Sequence, residues 1–210
     1  MNTKDRIRNE ALTLFSAKGF DAVSVRDIAA AVGIKESSLY NHYKSKQDIF
    51  ESIVAEYSKK GDSFFQSINM LDEGKTFDVD ERTIRMYKEM SPVQFEAMSL
   101  KILDYYLTDD TIVKFRKMLT IEQFRNPELT QLYRDISFNF SLDFQSQLFS
   151  ALMDEGLFIK MDPYMLALEF FSPIYLILNK FDSDENGLTK ARELITKHVS
   201  LFNEKYGVKK

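Results

Sequence analysis

Residues 23–46 read VSVRDIAAAVGIKESSLYNHYKSK, and this stretch decides the fold. Ser24 stands three residues before Asp27, the spacing of a capping box with the next-best acid to Glu, which predicts a helix start at Val25. Ile28 and Val32 make the inner stripe of that helix. Ala29 lies where a second helix must cross closely, and only a small side chain permits the approach. Gly33 supplies a tight turn, Ile34 plugs the corner, and Leu39 faces back onto Ile28 and Val32. Two helices joined by a short glycine-containing turn, with the outer face of the second left free for a major groove, form the pattern of a helix-turn-helix.

On that outer face lie Lys35, Glu36, Ser37, Ser38, Tyr40 and Asn41. Serine hydroxyls donate or accept at base edges, Asn matches adenine, Glu accepts from cytosine and Lys favours guanine. Glu36 either repels phosphate or reads a cytosine. Around the rim, Ser24, Arg26, His42, Tyr43, Lys44 and Lys46 are spaced to reach phosphates, and Lys46 also opens a helix whose backbone N–H groups attract anions. Tyr43 is expected to be partly buried against the first helix, with phosphate contact secondary. Asn41 and His42 have a second reading as solvated surface residues.

Outward from this segment the chain has 210 residues, room for one large domain or for a small one joined to a larger one. Only 7 Gly and 4 Pro punctuate it, and no evenly spaced alternating runs mark strands, so long helices are expected. Ser91-Pro92, Asn126-Pro127 and Asp162-Pro163 are cap-then-proline helix starts. The resulting map has helices at about 3–18, 25–32, 36–42, 46–70, 80–90, 92–107, 109–124, 127–155, 162–182 and 187–206, with loops at 71–80 and 182–186. The fold class is all-α: an N-terminal three-helix helix-turn-helix DNA-binding domain, residues 1–46, and a larger C-terminal helical bundle for ligand binding and dimerisation, residues 47–210. The longest apolar run, Tyr164 to Leu178, contains Glu169 and Pro173 and is shorter than the ~20 residues a bilayer span needs. Pro173 should kink its helix. The polar start MNTKDRIRNE lacks the apolar region of a secretory signal, and cytoplasmic residence with no membrane partner is expected.

The formal net charge of −4 argues against wholesale polyanion binding, but it hides an asymmetry. Residues 1–46 hold eight Lys or Arg against five Asp or Glu, net +3, leaving 20 against 27, net −7, for the remainder. A small basic module precedes a larger acidic one. With no Cys, disulfide scaffolds, Cys-zinc sites and thiol nucleophiles are excluded. The two His, His42 and His198, form no metal-ligand motif, and no phosphate loop or nucleophile elbow is present, so neither an enzyme nor a cofactor or metal is expected. The competing class is a helical protein-binding adaptor whose basic end contacts an acidic partner.

The N-terminal 50 residues resemble the DNA-binding domain of the TetR (tetracycline repressor-like) family of transcriptional regulators. The likeness rests on LFSAKGFDAVSV, residues 14–25, and RDIAAAVGIKESSLYNHYKSKQDIF, residues 26–50, with LYNHYKSK at 39–46 the most diagnostic part. The resemblance implies that Ser24, Tyr40, His42 and Lys46 meet phosphates while Lys35, Ser37, Ser38 and Asn41 face bases. Tyr43 departs from the family, which more often has Phe there.

Beyond Lys46, the fourth helix carries Ile49, Ile53, Tyr57, Phe64 and Ile68 along one stripe, starting among the DNA contacts and ending in the second domain. It is the lever by which a ligand could move the reading elements. Eight of the nine Met lie between Met70 and Met165, and 16 of the 18 Phe lie beyond residue 47. As a set they suggest an apolar cavity between helices. Its candidate lining is Tyr87, Met98, Ile102, Tyr105, Tyr106, Phe115, Met118, Tyr133, Asn139 and Phe170. No cationic cluster marks an anionic ligand, so the expected effector is small and largely apolar or aromatic. Residues 164–178 are apolar on nearly every face, and 188–206 carry a stripe from Leu188 to Phe202. In the family such a terminal pair forms a four-helix bundle with its mate, implying a homodimer through the last two helices. The function that follows is ligand-responsive regulation of transcription, most simply as a repressor on a palindromic double-stranded DNA operator with half-sites roughly 34–36 Å apart.

Overall fold

Capping side chains and prolines place the helix starts where the sequence puts them. The computed structural model describes residues 2–71, 78–182, 184 and 186–208. Gly74 and most of the expected 71–80 loop lie outside the described residues, as do two positions of the 182–186 loop. The helices are α1 (Thr3–Lys18), α2 (Val25–Val32), α3 (Glu36–Leu39), α4 (Lys46–Ser67), α5 (Glu81–Glu89), α6 (Pro92–Thr108), α7 (Asp110–Glu122), α8 (Pro127–Arg134), α9 (Phe140–Asp154), α10 (Pro163–Lys180) and α11 (Leu188–Tyr206). Ser91 and Gln94 form a two-way capping box before Pro92, Asn126 Oδ1 accepts the Glu128 amide at 2.9 Å, and Asp162 Oδ1 accepts the Met165 amide at 2.9 Å. The helix expected over 127–155 runs through, but a π-turn at Asp135–Asn139 separates α8 from α9. α10 carries through Pro173 over 18 residues.

The chain divides into two compact units. The first holds residues 1–65 and 110–133, the second 66–109 and 134–210. Packing therefore does not divide the chain at residue 46, where the sequence reading sets the boundary. α1 buries Ile7, Ala11, Leu12 and Phe15 on a stripe wide enough to need a neighbour besides α2, and α7 is that neighbour. α7 buries Ile112, Phe115, Met118 and Leu119, and Tyr57 of α4 stacks on Phe115 with ring centroids 4.1 Å apart.

In the second unit the core draws on α6, α9, α10 and α11, with Leu103, Phe149, Leu166, Phe170, Ile195 and Phe202 at its centre. The Phe170 and Phe202 rings meet edge to face at 4.8 Å. Arg192 on α11 makes a bidentate pair with Asp104 on α6, at 2.8 and 2.9 Å. An isolated antiparallel bridge pairs Phe158 with Gly207 and ties the α9–α10 connection to the end of α11. Among the described residues no helix is long and apolar enough to cross a membrane, and no cluster of His, Cys, Asp and Glu could hold a metal ion.

Candidate nucleic-acid interface

Both ends of α2 are fixed by local chemistry. Ser24 Oγ accepts the Asp27 amide at 3.1 Å while Asp27 Oδ2 accepts the Ser24 amide at 2.8 Å and the Ser24 hydroxyl at 2.6 Å. These bonds from Ser24, its hydroxyl first and its amide second, hold the Asp27 carboxyl below its ordinary range. At the other end Gly33 adopts φ 76°, ψ 34°, and the Ile34 amide reaches back to Ala29 O at 3.0 Å, closing the helix in a Schellman turn. A Cβ at Gly33 would meet nothing within 4 Å, so the turn needs glycine for its dihedral alone. Gly33→Ala is accordingly expected to cost about 1–2 kcal/mol, the strain of a left-handed residue. The urea midpoint measures it, and an unchanged midpoint would show that the turn relaxes.

α3 is a single α-turn, shorter than the expected 36–42. Beyond Leu39 the backbone tightens: the Asn41 amide bonds Ser38 O at 3.3 Å and the His42 amide bonds Leu39 O at 2.9 Å. Asn and His are weak helix formers, and three-residue turns suit them. Ile28, Ala29, Val32 and Leu39 are all buried, as the crossing of two helices at Ala29 requires. The opposite face is open. Lys35, Glu36, Ser37, Tyr40, Asn41, His42 and Lys44 are exposed on this turn and its continuation, and Ser38 is half-buried. Arg26 is exposed on α2. The residues expected to face bases thus lie together on one short segment.

Three of the residues expected at phosphates already have partners within the chain. Tyr43 is 2% exposed, and its hydroxyl meets Ser52 Oγ at 3.1 Å and donates to Lys4 O at 3.3 Å. Burial pushes its phenol pKa up. The hydroxyl that sets it apart from Phe therefore ties α1 and α4 to the end of the reading segment. Lys46 turns its ammonium inward, donating to Phe20 O at 2.8 Å and Val23 O at 2.9 Å with the Phe20 ring 4.3 Å away, and Phe20 O also accepts the Val23 amide at 3.3 Å. Ser24 stays exposed, but its hydroxyl is engaged in the cap. Ser45 Oγ accepts the Asp48 amide at 3.0 Å and Asp48 Oδ2 accepts the Lys44 amide at 2.8 Å, so the start of α4 is capped from within. Sequence reasoning also missed Arg6, whose Nη2 donates to Val32 O at 2.7 Å and seals the end of α2 from α1. Nothing in its local spacing points to that role.

The candidate effector residues fall in both units. Phe115, Met118 and Tyr133 belong to the first, where Phe115 and Met118 are fully buried core. Tyr87, Met98, Ile102, Tyr105, Tyr106, Asn139 and Phe170 belong to the second. There Tyr87 and Phe170 each pack a ring on Phe95, at 6.0 Å, and Tyr105 meets Tyr106 at 5.5 Å. Burial alone raises the Tyr87 phenol pKa. Asn139 is exposed and donates its side-chain amide to Asp135 at 2.7 Å within the π-turn.

A capped helix, a glycine turn and a short second helix with a free polar face define a helix-turn-helix DNA-binding protein. Residues 7–53 match the family model described as bacterial regulatory proteins, tetR family. The chain is 33% identical to IcaR of Staphylococcus aureus strain Newman, the HTH-type negative transcriptional regulator of the biofilm operon icaADBC, over 59% of this chain and 76% of that protein. IcaR of Staphylococcus epidermidis is 36% identical over 47% of this chain and 58% of its own. Among solved structures, a TetR-family chain from Mesorhizobium loti MAFF303099 superposes with a TM-score of 0.68 at 19% identity, covering 98% of this chain and 97% of that one. SmeT, the repressor of the Stenotrophomonas maltophilia multidrug efflux pump SmeDEF, gives 0.63 at 18% identity over 99% and 92%. The chain belongs to the TetR family of bacterial regulatory proteins.

Proposed function

We propose that this protein is a ligand-responsive transcriptional repressor that holds a palindromic operator as a homodimer. The observation that carries the reading is the α3 segment. Its inner face is locked by Leu39, and it offers Lys35, Ser37, Ser38 and Asn41 outward, flanked by Arg26, Tyr40, His42 and Lys44. Base edges take the first group and phosphates the second. The IcaR proteins, negative regulators by name, favour repression over activation. Acting on DNA, the protein works in the cytoplasm.

The dimer forms through α10 and α11. Tyr164, Met165 and Leu176 on α10 and Leu201 on α11 are large apolar side chains exposed to water in the single chain, the sign of a surface that a second copy covers. The effector binds in the second unit, against Tyr87, Met98, Ile102, Tyr105 and Phe170, and its chemistry is apolar or aromatic to match. It releases DNA by binding more tightly to the conformer whose two α3 segments are wrongly spaced for the operator.

Fluorescence anisotropy on duplexes selected from a random pool tests the reading. Log affinity should fall linearly with log salt, by about 10³–10⁵ between 50 and 200 mM if six to ten phosphates are neutralised. Enrichment of no sequence, with a flat salt response, would sink the DNA-binding reading and leave the adaptor.

A further inference from the structure

Residues 19–23 link α1 to α2, and their backbone is gripped by two charged side chains from elsewhere in the first unit. Glu122, the last residue of α7, is 0% exposed, and its Oε1 accepts the Phe20 amide at 2.8 Å. Lys46, the first residue of α4, holds Phe20 O and Val23 O. Phe20 thus has its N–H taken by an acid on one helix and its carbonyl by a base on another. Ser24, the cap of α2, comes directly after Val23.

Stability alone does not explain Glu122. It continues the apolar stripe Ile112, Phe115 and Leu119, where a leucine would bury without an electrostatic cost. Its Oε2 is buried with no hydrogen-bond partner, and the Arg125 guanidinium, half exposed, comes no closer than 3.8 Å to Oε1. A carboxylate so placed is costly. Gly19 points the same way: at φ 88° it is left-handed, and a Cβ there would stand 2.5 Å from Glu122 Oε1. The turn approaches the carboxylate this closely only because residue 19 has no side chain.

We infer that Glu122 is a positioning residue for DNA reading: by holding the Phe20 amide it makes the end of α7 set the orientation of α2 and α3. Movement of α7 then reaches the reading helices through one buried hydrogen bond. The inference rests on the DNA-binding reading, and its test has an arm that does not.

Glu122→Leu keeps the bulk and removes the acceptor, whereas Glu122→Gln keeps an oxygen for the Phe20 amide. On the duplex selected with wild-type protein, Glu122→Leu should bind about tenfold or more weakly, as expected for a buried donor left unpaired, and Glu122→Gln within about threefold of wild type. The thermal midpoint of Glu122→Leu should stay close to that of wild type, because relief of the buried carboxylate offsets the amide left unpaired, whereas a merely structural role would lower stability together with binding. Amide exchange should show Phe20 and the α2–α3 amides losing protection in Glu122→Leu and keeping it in Glu122→Gln. Leucine binding within about threefold of wild type, or glutamine losing as much as leucine, overturns the inference. Should Glu122→Leu fail to fold, Gly19→Ala pushes the carboxylate from the other side and must weaken DNA binding and expose the Phe20 amide likewise. If wild-type protein selects no DNA, the DNA reading falls, and exchange alone decides the role of Glu122: equal α2–α3 protection in Glu122→Leu and wild type overturns it.

Discussion

Replacing Leu176 and Leu201 together by Asp is expected to leave a single chain in solution and to weaken binding to a full palindrome by about 10²–10⁴-fold, the advantage that joining two readers confers. Leu176 is 66% exposed and Leu201 64% exposed in the isolated chain, so neither contributes much to its folding. A polar residue at such a position shifts stability by only about ±0.5 kcal/mol. The thermal midpoint of the separated chain is therefore a clean control. Across an interface between copies the same two side chains would be desolvated, and carboxylates there would face one another across the two-fold axis, where like charges repel. Affinity for a single half-site should remain that of the wild type, since nothing in α2 or α3 is altered. Light scattering after size exclusion and anisotropy on half and whole sites make the measurement. A variant that stays dimeric would move the interface away from α10 and α11.

Local chemistry was legible in the sequence and long-range chemistry was not. The Ser24–Asp27 box spans three residues and Gly33 needs only its own dihedral, so the helix-turn-helix could be read from a 24-residue stretch. Asn126-Pro127 and Asp162-Pro163 fixed helix starts for the same reason. A stripe, by contrast, says which face of a helix is buried but not against what. Phe115 and Met118 carry the right residue types for a ligand cavity, yet both are fully buried in the core, with Tyr57 stacked on Phe115. Lys46 reads as a phosphate ligand because it stands beside the reading helix, and only the fold reveals the two carbonyls that claim it. Glu122 meets Phe20 across 102 residues. Its one signal is a charge on an otherwise apolar stripe, which a helix pattern alone treats as a surface residue.

Leu39→Ala is expected to cost about 2–5 kcal/mol and to abolish operator binding. α3 has four residues and Lys35 gives it no side-chain cap, so helix propensity cannot hold it, since isolated helices shorter than about 12 residues are marginal in water. Leu39 is its one buried side chain, at 0% exposure, with Ile28 and Ile49 also at 0% and Val32 at 4% in the core of the same module. A core already packed by branched side chains has little freedom to collapse into the space left by three lost carbons, which places the cost in the upper part of that range. The backbone beyond Leu39 depends on the same anchor, because the His42 and Tyr43 amides both bond Leu39 O, at 2.9 and 3.1 Å. Loss of the side chain frees the segment that carries Tyr40 and Asn41 as well as α3 itself. Leu39→Met keeps the volume and should cost less than about 1.5 kcal/mol while retaining the operator. Chemical denaturation and anisotropy on the same preparations distinguish the two variants. Tight operator binding by Leu39→Ala would mean that DNA itself can order α3, and that the inner face of the helix is not what presents the outer one.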